Sequence, residues 1–229
     1  MTSAARRITT AQVVAVATCA VALLGCTRHV DRPQARAEAL AAPITTLQVV
    51  DLLSPKVIGE DGNLFVVAEP ERCAGLGREV DPPFIETGRP LATDGGHWTT
   101  DDGQYFVEEM VAVYRAEFDP AAALQSVQDT LADCDGTMLS VTTMQDRVYD
   151  FEIQTSAGEG PEGSVLWSLR ASDWNCDNLF VAAHNAAIEI TTCGATPGFD
   201  VVGLAEEALE RIDVEGERLP DAVLKMTNL

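Results

Sequence analysis

The chain has 229 residues, 46% hydrophobic and 22% charged, with 17 Gly and 11 Pro, which is the composition of a globular protein and of neither a disordered nor a collagenous one. Its 15 Lys+Arg stand against 36 Asp+Glu, a formal charge of −21. A surface of that sign repels phosphate backbones, which excludes nucleic-acid binding, and the length leaves no room for a kinase domain or a bundle of membrane spans.

Met1 to Arg7 carries Arg6 and Arg7 and no acid, and an apolar run from Val13 to Leu24 follows, broken only by Thr18 and Cys19. As a helix that run rises roughly 18 Å, against about 30 Å of bilayer hydrocarbon. A short apolar run behind a positive start predicts a secretory signal rather than a permanent span. Leu23-Leu24-Gly25-Cys26 closes it and matches the bacterial lipobox, in which the Cys thiol accepts diacylglycerol and cleavage falls just before it. A plain signal with a chance cysteine is the alternative; ordinary cleavage sites prefer Ala-x-Ala. The expected organisation is a signal peptide over 1–25, a lipidated Cys26 and tether over 26–46, a body over 47–214 and a tail over 215–229. Two or three acyl chains anchor a protein stably where one does not, so the membrane is the first expected partner. Losing Arg6 and Arg7 makes the remainder more acidic still, and the anionic leaflet holds such a body off its surface. Arg28, His29, Arg32 and Arg36 leave the tether locally basic.

In the body, Ser54-Pro55 reads as the start of a short helix, with Ser as N-cap and Pro at the first helical position. Asn63 to Ala68 is a strand candidate, and Cys73 to Val80 a weak helical one. Pro90 to Gly103, with its glycines and polar residues, reads as a loop carrying His97 and Trp98. Gln104 to Ala116 is the best strand, rich in β-branched and aromatic residues. Asp119-Pro120 predicts a helix through Asp133 or Cys134, with Leu124, Val127 and Leu131 on its inner stripe and Asp135-Gly136 as its stop. Thr137 to Thr143 and Arg147 to Thr155 read as strands joined near Gln145-Asp146. Ser164 to Ala171 alternates, with Val165, Trp167 and Leu169 on one face. Asn178 to Ala183 and Ala187 to Thr192 form a hairpin turning at His184-Asn185, and Val201 to Ile212 is an amphipathic helix with residues after Glu215 frayed. Helices interleaved with hairpins predict one α+β domain, a central, mostly antiparallel sheet flanked by helices.

Six cysteines are present. With Cys19 in the signal and Cys26 lipidated, four remain: Cys73, Cys134, Cys176 and Cys193. An even number in an exported chain predicts disulfides, with three possible connectivities. Zinc is disfavoured, because no two cysteines have C-x₂₋₄-C spacing. Cys176 and Cys193 stand at the two ends of the last hairpin, which favours their pairing and leaves Cys73 with Cys134.

Trp174-Asn175-Cys176, Leu179-Phe180-Val181, Asn185, Ile188-Glu189-Ile190 and Cys193-Gly194 together resemble a stretch of the PknH-like extracellular sensor domain family. That family occurs on mycobacterial receptor serine/threonine kinases and on free-standing lipoproteins. Leu52-Leu53-Ser54-Pro55, Glu71-Arg72-Cys73-Ala74-Gly75 and a helix ending in Cys134 extend the resemblance to about Leu47–Ile212. It implies pairing of the first two and last two cysteines, an α+β body with an antiparallel sheet, and a cleft open to an extracellular ligand. Two places depart from the family: Asp177-Asn178 replaces a frequent basic residue after the third cysteine, and the stretch before the long strand is Gly95-Gly96-His97-Trp98-Thr99.

No catalytic motif accompanies this pattern. Gly158-Glu159-Gly160-Pro161-Glu162-Gly163 matches G-x-G-x-x-G, but two acids stand where phosphate would sit and a strand follows it, so it reads as a hairpin loop. His97 and His184 are the histidines a Ser/His/Asp site would use, and His184 reads as a solvated turn residue. Asp101-Asp102 and Asp133–Asp135 read as solvated acids rather than calcium ligands. No cofactor and no metal are expected. Trp98 and Trp174 are the candidates to line an apolar ligand cleft. The expected function is a non-catalytic sensor-like domain on the outer side of the plasma membrane, binding an envelope ligand or protein. An envelope hydrolase with a loop-built site and a structural envelope protein are the alternatives.

Overall fold

The computed structural model describes residues 43–59, 62–155 and 160–218, all within one unit spanning Ala41–Leu229. The signal, Cys26 and nearly all of the tether lie outside the described residues, as do the first glycine of the G-x-G-x-x-G match and the end of the tail. Among the described residues eight strands are formed: β1 (Phe65–Glu69), β2 (Ala92–Thr99), β3 (Tyr105–Val113), β4 (Met138–Thr143), β5 (Val148–Thr155), β6 (Ser164–Arg170), β7 (Asn175–Ala183) and β8 (Ala186–Gly194). They make one sheet in the order β1-β4-β5-β6-β7-β8-β3-β2. Every pairing is antiparallel, so the expected α+β architecture is present with no parallel element in the sheet.

The α-helices α1 (Pro83–Thr87), α2 (Pro120–Cys134) and α3 (Val201–Glu217) pack on the sheet. The start of α2 is set by Asp119, whose side chain accepts from Ala122 N at 3.1 Å, with Pro120 behind it. Asp200 caps α3 in the same way, accepting from Gly203 N at 3.0 Å. One face of the sheet packs Trp167, Phe151, Leu169 and Phe180 against Val127 and Leu131 of α2. The other packs Val107, Leu179, Ile188 and Ile190 against Leu204, Ala208 and Ile212 of α3. All nine residues of β8 are therefore buried. Helix α3 continues to Glu217, past the Ile212 at which its apolar pattern ends, because Glu215 and Gly216 are buried.

Both expected disulfides are formed. Cys73–Cys134 ties a 3-10 helix (Glu71–Leu76) to the end of α2, and Cys176–Cys193 joins register partners of β7 and β8.

Three local expectations are corrected. Pro90 to Gly103 contains β2 instead of a loop. Its glycines and Asp94 have poor strand propensity, and pairing with Phe106 to Val113 of β3 overrides it. A Cβ on Gly95 would stand 3.2 Å from the Glu109 carbonyl, so the small residues allow the close approach of the two strands. Ser54 begins a turn, not a helix: Val57 N donates to its carbonyl at 3.1 Å and Lys56 N to its hydroxyl at 3.3 Å. The helix lies before it, as a 3-10 segment over Thr46–Leu52 that is closed by Gln48 accepting from Thr45 N at 2.9 Å. The packed body also starts earlier than residue 47, since Ile44 is buried and exchanges backbone bonds with the Asn185 side chain.

Candidate functional site

Residues two apart on a strand share a face. On β3 this sends Val107, Glu109 and Val111 toward α3, and Phe106, Glu108 and Met110 to the opposite side. Across to β8, Phe106 pairs with Cys193, Glu108 with Thr191 and Met110 with Glu189. Across to β2, Glu108 pairs with His97. A run of polar side chains thus occupies one face of three adjacent strands.

The sheet curls so that its far end looks back at this run. Phe65 of β1, Thr143 of β4 and Tyr149 of β5 form the opposite wall of a cavity of about 370 Å³, with Trp174 from the β6–β7 connection at one side. The rings form a continuous wall: Phe65 lies 6.1 Å from Tyr149, Tyr149 6.2 Å from Trp174, and Trp174 6.0 Å from Phe106, centroid to centroid. Glu79 enters from the segment after the Glu71–Leu76 helix. A narrower recess of about 30 Å³ shares Glu79, Glu108 and Thr191 with the cavity and reaches Glu189. That is space for about one water-sized group.

The electrostatics of this inner end are unusual. Glu79 accepts a hydrogen bond from Phe65 N at 2.7 Å, and the Thr191 hydroxyl also donates to it. Burial nevertheless outweighs both bonds and lifts its carboxyl to about 7. Glu189 is 7% exposed; burial first, and then the neighbouring Glu79 charge, push it well above the usual carboxylate range. Its Oε2 has no hydrogen-bond partner, nor do either of the amide atoms of Asn178, the register partner of Thr191, or Nδ1 of His97. Buried polar groups normally find partners, so this face is open to a group not supplied by the chain.

On the other face, Glu109 shows the opposite solution. Its carboxylate accepts from Ser54 N at 2.8 Å and from Arg211 Nη2 at 3.4 Å, while Arg211 Nε donates to the Leu52 carbonyl at 2.7 Å. Two consecutive acids in one strand therefore do different work, Glu109 joining strand, helix and entry segment, and Glu108 facing the cavity.

Of the sequence candidates, Trp174 stands in the cavity wall with its ring among Phe106 and Tyr149. Trp98 borders the cavity, but it is the register partner of Val107 and its indole packs in the α3-side core, with Lys56 Nζ 4.9 Å from the ring. The two tryptophans are thus on opposite faces. His184 is not simply solvated at its turn: its Nε2 lies 3.1 Å from Asp213 Oδ1 on α3. Asp102 closes the β2–β3 turn by accepting from the Thr100 hydroxyl at 2.6 Å and Gln104 N at 3.0 Å. Among the described residues no three His, Cys, Asp or Glu are grouped to hold a metal ion.

Sequence reasoning missed Glu79, Glu189, Thr191 and Tyr149. One signal was present: Glu189 interrupts the apolar run Ile188-Glu189-Ile190 in what reads as a core hairpin, where an acid is costly unless it has a purpose. Glu79 carried none, because only the curl of the sheet brings it to Thr191.

Comparison with known proteins agrees with this architecture. Residues 65–211 match the model of the PknH-like extracellular domain. No curated protein sequence matches the chain. The crystal structure of the extracellular domain of PknH from Mycobacterium tuberculosis is similar in fold, with TM-score 0.58 and 17% identity over 78% of this chain and 100% of that one. The structure of CalU16 from Micromonospora echinospora covers 56% of this chain and 86% of its own at 11% identity, and its TM-score of 0.25 carries no argument. With the matched span, the antiparallel sheet and the two disulfides in place, the chain belongs to the PknH-like extracellular domain family, and its body is a non-catalytic, sensor-type extracytoplasmic domain.

Proposed function

We propose that the protein is a cell-envelope lipoprotein, held on the outer face of the plasma membrane by acyl chains on Cys26, whose sensor-type body takes a small ligand into the cavity between β3–β8 and the Phe65–Tyr149–Trp174 wall. The anchor reading is supported by Arg6 and Arg7, the short apolar run and the Leu24-Gly25-Cys26 junction. The ligand reading is carried by one observation: a cavity of about 370 Å³, with the unpartnered Nδ1 of His97 in its lining, shares Glu79, Glu108 and Thr191 with a recess lined by Glu189, whose buried Oε2 has no partner. A purely structural domain gains nothing from that arrangement, since each unpaired buried group costs roughly 1–3 kcal/mol that closure or apolar replacement would recover. Concave sites with aromatic walls and a few converging polar groups are where small ligands bind.

A thermal-shift panel of cell-wall fragments, lipids and small metabolites tests the ligand reading, because a compound that binds only the folded state raises its Tm. A true cavity ligand stabilises the wild type and loses most of that effect in Trp174→Ala. A panel with no hit, or hits unaffected by Trp174→Ala, rejects the cavity as the binding site.

A further inference from the structure

Glu79 and Glu189 are neighbours at the inner end of the cavity, where Glu108 also lines both cavity and recess, and among the described residues of that lining Arg147 is the one Lys or Arg. Arg147 stands at the outer rim, its guanidinium 4.4 Å above the Tyr149 ring and 3.3 Å from Asp173, with 57% of its side chain exposed. Its ion pair is with Asp173, not with Glu79 or Glu189. Glu189, more than nine-tenths buried with Oε2 unpartnered, calls for a hydrogen-bond donor of opposite charge. The recess beside it has room for one group of water size, which is the size of an ammonium head. The wall of rings offers negative π faces, and Arg147 over Tyr149 shows that this wall accepts a cation. A metal ion is a poor match, since no three ligating side chains are grouped among the described residues and the cavity is far larger than a bare ion. The charge of −21 draws cations toward the protein and turns anions away.

We infer that the cavity receives a small organic cation, a primary ammonium on an aromatic or apolar body, its head in the recess against Glu79 and Glu189 and its body against Phe65, Tyr149 and Trp174. The inference rests on the reading of the cavity as a ligand site and adds the chemical class of the ligand. It also couples binding to pH. The groups facing Glu79 are Glu108, Glu189 and His97 from the strands and Arg147 at the rim, while Arg78 on its own segment is turned to Glu71 at 3.7 Å. With acids this enclosed, the empty site holds protons that an ammonium must displace, so occupancy rises with pH.

The test is a titration of the full-length protein in detergent micelles with phenethylammonium, its neutral isostere phenethyl alcohol, the anion phenylpropionate, and calcium chloride. The readout is the indole N–H resonance of Trp174, with that of Trp167, bonded to the Leu76 carbonyl at 2.8 Å, as the internal control. Phenethylammonium is expected to move Trp174 and not Trp167, with affinity at least about tenfold above the alcohol, and about tenfold tighter near pH 8 than near pH 5.5. Glu189→Gln brings the affinity for phenethylammonium down to that for the alcohol; Thr191→Lys supplies a tethered ammonium and blocks the probe. Equal binding of the alcohol, or tighter binding of phenylpropionate, overturns the cation while leaving the cavity as a ligand site. A calcium response in place of the ammonium one overturns it in favour of a metal. Silence of all four probes up to about 10 mM overturns it too, and the wider thermal-shift panel then decides separately whether the cavity binds anything.

Discussion

Replacing Glu79 by Gln should stabilise the protein, and only above mildly acidic pH. The amide keeps an oxygen to accept from Phe65 N, as the carboxylate does at 2.7 Å, but it cannot ionise. In the wild type, burial raises the Glu79 carboxyl from 4.5 to about 7. Below about pH 4.5 the carboxyl is protonated in both folded and unfolded chains and costs nothing. Between there and pH 7 the unfolded chain ionises first, so the folded state binds more protons and its stability falls as pH rises. Above pH 7 the penalty is complete. At 1.36 kcal/mol per pH unit it amounts to about 3 kcal/mol, an upper figure because the carboxyl borders a cavity that water can enter. Urea unfolding at pH 5 and pH 8, wild type against Glu79→Gln, measures it. The variant should gain about 2–3 kcal/mol more at pH 8 than at pH 5, part of it through Glu189, which loses a like-charged neighbour. A difference that does not change with pH would show that Glu79 is solvated and that the inner end of the cavity is wet and ordinary.

Arg211→Ala should cost about 3–5 kcal/mol near pH 8 in the same assay, because it leaves Glu109 buried without its cation; near pH 4, where Glu109 is protonated, the loss should shrink. Reduction of Cys73–Cys134, closing 61 residues of separation, should cost about 4 kcal/mol against about 3 for Cys176–Cys193, separated by 17, as read from paired Cys→Ala variants. Equal costs would assign the effect to native-state packing instead of the loops. Cys26→Ala should abolish incorporation of labelled fatty acid and release the protein from membranes, and continued labelling would reject the anchor.

Much of the frame was legible because local chemistry and tertiary structure agree there. The Asp119-Pro120 cap, the alternation in Ser164–Arg170 and the last hairpin each encode one element by one mechanism, and the hairpin placed Cys176 opposite Cys193. β2 was illegible because its Gly95-Gly96 pair signals a loop, while its pairing depends on β3, a neighbour that local propensity does not see. The site was half legible. Aromatic character points to both tryptophans as candidates; the register of β2 on β3 then puts the Trp98 ring in the α3-side core while it still borders the cavity, and Trp174 stands among the rings of its wall. Glu79 and Tyr149 meet the β3–β8 face only through the curl of an eight-stranded sheet, a long-range property that no spacing in the sequence records.

The central claim is that the cavity holds a ligand. Native mass spectrometry of the full-length protein, extracted gently from its own membranes, tests it most directly, with Thr191→Lys measured alongside. A small non-covalent adduct on the wild type that is absent from Thr191→Lys is the predicted result; a wild type that carries nothing, or an adduct retained by the variant, contradicts it.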